Sequence, residues 1–402
     1  MMKYALGNIR PMLELRPDSN ANTLVGVGQW GKRLVVGTDT GSQRTLNIYQ
    51  HRQGNHEFVN DISVTAQLDG EFNALAMSHD GLKIACGDSY NALPSGAVFV
   101  FNLVDGDLQY GLPVNFTLNQ VAALTLSPPV ADAYFGASCC FYNATGGVFV
   151  GAPGISNDRG SVFLFEPVAG VWTQKQEIPG PVGAKGFGTA VAVTNDGSLL
   201  AVGASWADYY QGRVYLYARD ANGLYQLRDT LIPGDVGGQF GAGVAISPDG
   251  QWLYVGAPAY SNVQSRQGTV AVYRYVNNAW VKTAHWYRIG AWSWENLGLN
   301  LAISQDGQQV MAGMACSALL FDAYRYLISG QVLDENGNPA SMEVRVHLGY
   351  YGDLVNITWS DEETGHFEAA TADNSPHMVV CVDSDEAGIY FNAQVFDGVV
   401  PL

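Results

Sequence analysis

The chain has 402 residues, 47% hydrophobic but only 14% charged, with 47 Gly, 21 Tyr and a net charge of −17 from 37 acidic and 20 basic residues. Low charge with abundant glycine and aromatics excludes a disordered or helix-rich chain and points to an all-β protein with many turns. The acidic balance, with no Lys/Arg-rich stretch to offset it, excludes nucleic acid and anionic membrane surfaces as partners.

Residues Met1 to Pro11 contain no long apolar segment. The chain is therefore expected to carry no secretion signal and to be made in a reducing cytoplasm. No apolar run approaches the ~20 residues that span a bilayer, so no membrane insertion is expected. Cys86, Cys139, Cys140, Cys316 and Cys381 are an odd set without CxxC spacing and are expected to be buried thiols.

An internal repeat dominates the first four fifths of the chain. Its clearest copy is Phe240-Gly241-Ala242-Gly243-Val244-Ala245-Ile246-Ser247-Pro248-Asp249-Gly250, followed by Trp252 to Pro258. This reads as a strand, an Asp-Gly hairpin turn and a second strand leaving through Gly-Ala-Pro. The turn-to-glycine spacing is seven in Asp80 to Gly87, Asp196 to Gly203, Asp249 to Gly256 and Asp306 to Gly313, and Trp30 to Gly37 keeps it. The copy at Asn143 to Pro153 has an irregular turn. A third strand ends on an aromatic, at Tyr49, Phe101, Phe165, Tyr217, Tyr273 and Phe321, with intervals of 52, 64, 52, 56 and 48 residues. Six copies at this period, each with three or four short strands, predict a six-bladed β-propeller over residues 1–327.

Outer fourth strands are expected at Phe58 to Gln67, Leu108 to Leu118, Val171 to Ile178, Leu224 to Leu231 and Trp280 to Trp286. The long second interval holds an apolar insertion from Gln120 to Ala133 with no assigned role. The sixth copy lacks an outer strand, so the segment from Lys3 to Glu14 is expected to seal the ring. Beyond Leu327, six alternating segments follow (328–333, 342–348, 354–359, 366–370, 378–382 and 389–395). They predict a small Ig-like or prealbumin-like β-sandwich over 328–402.

The pattern Phe-Gly-x-x-Val-Ala-x-Ser-x-Asp-Gly, Val-Gly-Ala-Pro, Gly-x-Val-x-x-Tyr resembles the FG-GAP repeats of integrin-α-type propellers. It is strongest in 187–217 and 240–273, weaker in 72–101, 135–165 and 297–321, and marginal in 24–49. Many blades of that family carry a calcium loop of alternating aspartates. Here each turn has one carboxylate, too few for the six to eight oxygens Ca²⁺ takes, so neither a metal nor another cofactor is expected. The C-terminal part resembles domains at the ends of tail and fibre proteins of tailed bacteriophages, through Ser329 to Asp334, Asp383 to Gly388 and the ending Tyr390 to Leu402. That resemblance implies a virion protein of a tail, baseplate or fibre, partnered by other virion proteins and forming a homo-oligomer in the particle.

No catalytic residue is assigned. Ser247-Pro248-Asp249-Gly250-Gln251-Trp252 departs from a sialidase Asp-box because Asp and Gly are contiguous. The seven histidines form no HxH or HExxH pair, and no Gly-x-Ser-x-Gly elbow occurs. The variable loops after the second strands, with the connections between blades, are expected on one face, opposite short and uniform two-residue turns. That face is read as a surface for a host glycan or protein, carrying Tyr90, Trp206, Asp208, Tyr209, Tyr210, Tyr260, Arg266, Trp292 and Trp294. The expected function is non-enzymatic attachment or appendage assembly. The alternatives are a propeller glycan-processing enzyme and a free bacterial adhesin-like binding protein.

Overall fold

A computed structural model describes the chain except residues 1–5, 9–12, 16–21, 28–32, 53–54, 69, 91–94, 107, 110–111, 114, 143–145, 235, 262–263, 288–292, 316, 324–325, 333–337, 349–353, 362, 372–376, 383–393 and 400–402. The chain is all-β, and its first part is a six-bladed propeller. Blade 1 consists of Asn22–Val27, Arg33–Asp39, Arg44–Arg52 and Asn55–Ser63. Blade 2 consists of Phe72–Met77, Lys83–Asp88, Ala97–Asp105 and Phe116–Leu124. Blade 3 takes Ser138–Tyr142, Gly147–Ala152, Ser161–Val168 and Val171–Pro179, and blade 4 Phe187–Val193, Leu199–Ala204, Arg213–Arg219 and Tyr225–Leu231. Blade 5 takes Val244–Ile246, Trp252–Ala257, Thr269–Val276 and Ala279–Tyr287. Blade 6 has Leu301–Ile303, Gln309–Gly313 and Ala318–Asp322, with Leu13–Leu15 antiparallel to Ala318–Leu320 as its outer strand. The first strands neighbour one another in cyclic order, and blade 6 returns to blade 1.

No blade owns its core. The second strands of blades 3, 4 and 5 (GVFVGA, LLAVGA, WLYVGA) are buried along their whole length because the two faces of each strand serve different seams. Leu200 and Val202 face blade 3, whereas Leu199 and Ala201 face blade 5. Alternation of period two therefore appears in the sequence as an unbroken apolar run. Hydrophobic clusters fill all six seams, the last joining Leu34 and Val36 of blade 1 to Met311 and Leu320 of blade 6.

The repeated aromatics and glycines also belong to the seams. Phe187 at the start of blade 4 meets Tyr217 edge-to-face at 5.9 Å, as Phe135 meets Phe165 at 5.8 Å and Phe240 meets Tyr273 at 6.1 Å. The glycine opening each third strand bridges to the phenylalanine or leucine that opens the next blade, in Gly160 with Phe187, Gly212 with Phe240 and Gly268 with Leu297.

Two sequence-based expectations need correction. The outer strand of blade 2 is Phe116–Leu124 rather than Leu108 to Leu118, because Leu108–Gln109 and Leu112–Pro113 pair only with each other. The apolar stretch from Gln120 to Ala133 is thereby explained. It ends that outer strand and then crosses to blade 3, burying Leu124, Leu126 and Ala133 in the seam between blades 2 and 3.

The turns between first and second strands at Ser78, Thr194, Ser247 and Ser304 are four-residue units, not the two-residue turns expected, whereas Ala169-Gly170 and Asn277-Asn278, between third and fourth strands, are two-residue turns. In Ser78-His79-Asp80-Gly81 the Ser78 hydroxyl donates to the Asp80 carboxylate at 2.5 Å, and that carboxylate accepts the Leu82 N–H at 2.9 Å. The Lys83 N–H in turn reaches the Ser78 hydroxyl at 2.8 Å, and Gly81 takes φ +67. The same bonds recur at Thr194-Asp196, Ser247-Asp249 and Ser304-Asp306. A closed set of hydroxyl, carboxylate and amide favours the longer turn over a primed two-residue one.

Beyond residue 325, Tyr326–Gln331 pairs with His366–Thr371, and a four-stranded sheet runs in the order Leu354–Trp359, Glu343–Leu348, His377–Val382, Gln394–Val399. Ile328 and Phe367 from the first sheet share a core with Val344, Val346, Val379 and Cys381 from the second. Leu6–Asn8 adds a fifth strand to blade 5, parallel to His285–Tyr287, and lies next to Leu354–Trp359. The phrases at Asp383 to Gly388 and Tyr390 to Ala393 lie outside the described residues.

Candidate functional site

Three loops and the connections that follow them are hydrogen-bonded to one another. The Gly186 N–H donates to the Asp158 carbonyl at 2.7 Å, Gln239 to Tyr210 at 2.7 Å and Asn296 to Arg266 at 3.0 Å. In each pair a residue near a loop's end accepts from the residue just ahead of the next blade. The loops after the second strands and the blade-to-blade connections therefore share one face.

The bonding needs unusual backbone. Ile155–Asp158 and Ala207–Tyr210 are single turns that wind left-handed, with φ +57, +58 and +65 at Ser156, Asn157 and Asp158. Asp208, Tyr209 and Tyr210 take φ +50, +55 and +67. A left-handed L-residue costs about 1–2 kcal/mol, least for Asn and Asp. Blade 3 fills the middle position with Asn157, whereas blade 4 has Tyr209. The strain at the loop ends is thus partly structural, since it presents carbonyls to the neighbouring blade.

The candidate side chains separate into two groups. Tyr209 is 99% exposed, Tyr210 59%, Trp294 60% and Tyr90 55%. Trp206 is half-buried over Gly186, where an added β-carbon would lie 2.7 Å from its ring, and Tyr260 is half-buried against the seam between blades 4 and 5. Arg266 lies 5.1 Å from the centre of the Trp294 ring and donates to Asn296 at 3.3 Å, linking blade 5 to the next connection. Asp208 accepts from Arg213 at 2.5 and 3.0 Å. Tyr90 is paired with Tyr134 at 5.0 Å. Trp206, Tyr260 and Arg266 thus help join the blades, and Trp292 lies outside the described residues.

Residue type gave no indication of two further members of this face. Val182, in the connection into blade 4, is 94% exposed, and Ile232, in the connection out of it, 65%. Trp206 packs on the first connection and Tyr210 is hydrogen-bonded to the second. The left-handed turn of blade 4 therefore stands between them.

The central channel is chemically different. Leu75, Cys139, Val191, Val244 and Leu301 form one tier, and Met77, Phe141, Val193, Ile246 and Ile303 the next, around a cavity of about 150 Å³. His79 and Gln305 meet at its turn-side mouth. Among the described residues, no Asp, Glu, Lys or Arg lines it. Burial pushes the Cys139 thiol up to about 12, and the thiols of Cys86 and Cys140 are also raised by burial. These are packing groups rather than nucleophiles. No group of three or more His, Cys, Asp or Glu suited to a metal occurs among the described residues.

Neither a protein-family model nor a curated protein matches the sequence.

Proposed function

We propose that the chain is a non-enzymatic structural and recognition protein of a tailed-phage virion, belonging to its tail, baseplate or fibre. The loop face of the propeller is its contact surface. The carrying observation is the placement of exposed apolar and aromatic side chains on that face, held by a hydrogen-bonded set of left-handed turns. The FG-GAP resemblance accounts for the ring, and the resemblance of the C-terminal ending to phage tail proteins accounts for the assignment to a virion. On this reading the C-terminal unit is a small Ig-like sandwich, and one of the two parts docks on the particle while the other faces a host surface or a neighbouring subunit.

Antibody against the full chain should label an appendage of purified particles. A panel of surface glycans incubated with the protein should release no sugar. Absence from particles would overturn the virion assignment, and glycan turnover would overturn the non-enzymatic one.

A further inference from the structure

Tyr209 poses a problem that the monomer does not solve. Its backbone is left-handed, where a bulky residue is strained, and its side chain lies almost wholly in solvent. Blade 3 meets the same backbone demand with Asn157, a residue suited to it. The tyrosine ring therefore returns nothing to the isolated fold. The same turn carries Tyr210 and Asp208, the latter in an exposed ion pair with Arg213, and the connections on either side of it carry Val182 and Ile232, all three of Tyr210, Val182 and Ile232 being exposed.

Resting on the reading of this face as a contact surface, we infer that the blade-4 turn is the centre of a two-fold contact with a second copy of this chain. The chemistry of the patch selects that occupant. Exposed aliphatic and tyrosine side chains with charge at the rim match the anatomy of a protein interface. They suit a glycan poorly, since Val182 and Ile232 offer sugar hydroxyls no hydrogen bond.

Charge favours a copy of the same chain. Each chain carries −17, so most mutual approaches bring like charges together. The loops and connections flanking this turn instead hold, among the described residues, Asp158 and Asp208 against Arg159, Lys185 and Arg213. A two-fold contact also places the same patch on itself. Asp208 of one copy then faces Arg213 of the other, and the reverse, so the rim is self-complementary.

Sedimentation velocity of the full chain at physiological salt tests this. The wild type should show a concentration-dependent dimer. Tyr209→Asn should raise its dissociation constant at least about tenfold, as loss of a hot-spot tyrosine does, with unchanged circular dichroism. Asp208→Arg and Arg213→Asp should each weaken self-association, and mixing the two variants should restore it as a heterodimer. A wild type monomeric at every concentration, or a dimer indifferent to all three substitutions, overturns the inference. A glycan array run in parallel separates the two levels. If the wild type is monomeric but binds a glycan, and Tyr209→Asn loses that binding, the self-contact is wrong and the face still binds. If it neither self-associates nor binds, both readings fall.

Discussion

Gly203 in blade 4 and Gly241 in blade 5 touch backbone to backbone, so that a β-carbon on Gly203 would lie 1.9 Å from the Gly241 carbonyl oxygen. The same approach recurs between Gly87 and Gly136, Gly151 and Gly188, and Gly256 and Gly298. Gly203 has no left-handed φ, so its requirement is space alone. Gly203→Ala should destabilise the ring by about 3 kcal/mol, the upper end of overpacking costs, because the opposing atom is backbone. Gly170, with φ +82 and nothing within 4 Å, is the control. Its alanine variant should cost about 1–2 kcal/mol from strain alone. Urea unfolding of both variants checks the order.

The edge-to-face pair of Phe187 and Tyr217 gives a second test. Phe187→Ala should cost about 3–5 kcal/mol, since the ring is fully buried where two blades meet. A thermal melt close to wild type would show that the seams are not the core.

Deleting residues 1–15 should expose the edge at Ala318–Leu320 and the seam between blades 6 and 1. We expect Tm to fall by roughly 5–10 °C. An unchanged melt would mean that the ring closes without this segment.

The turn carboxylates predict acid sensitivity. Burial alone would raise the Asp80 carboxyl, but the Ser78 hydroxyl, the Leu82 N–H and nearby Lys83 outweigh it and hold the group below its usual range. Asp196 is depressed as well, with burial again outweighed by its hydrogen bonds to Ser198 and Thr194. A group depressed on folding stabilises above its unfolded pKa of about 3.9, and that contribution is lost as pH falls through the lower folded value. Stability should therefore decline below about pH 4, and an Asp80→Asn, Asp196→Asn double variant should show a shallower decline. Equal slopes in acid titrations followed by circular dichroism would contradict this.

Cys86, Cys139 and Cys381 are buried and Cys140 is half-buried, all with raised thiol pKa values. None of the four should react with a thiol-specific reagent at pH 8 until denaturant is added. Mass mapping of labelled peptides identifies any exception.

Blade number was legible because the aromatic closing each third strand recurs at a near-fixed interval. What those aromatics do was not. Tyr217 lies 30 residues from Phe187 in the same blade, and nothing in either local pattern brings the two rings together in the seam toward blade 3. The turns were found through Asp-Gly, but their true length depends on Ser78, Thr194, Ser247 and Ser304, whose hydroxyls look like ordinary strand ends in sequence. On the candidate face, residue type identified Tyr209 and Trp294, yet it could not separate them from Trp206 and Tyr260, which pack. Val182 and Ile232 resembled buried aliphatics, and only the course of the connections exposes them.

The strand at Leu13–Leu15 also sets an order of events during synthesis. These residues leave the ribosome some three hundred positions ahead of their partners at Ala318–Leu320. At roughly 5–20 residues per second, the interval is some tens of seconds. Throughout it the first blade's outward seam, Leu34 and Val36, waits uncovered. The growing chain is an open arc with a sticky end, and its hazard is joining another arc before it can join itself.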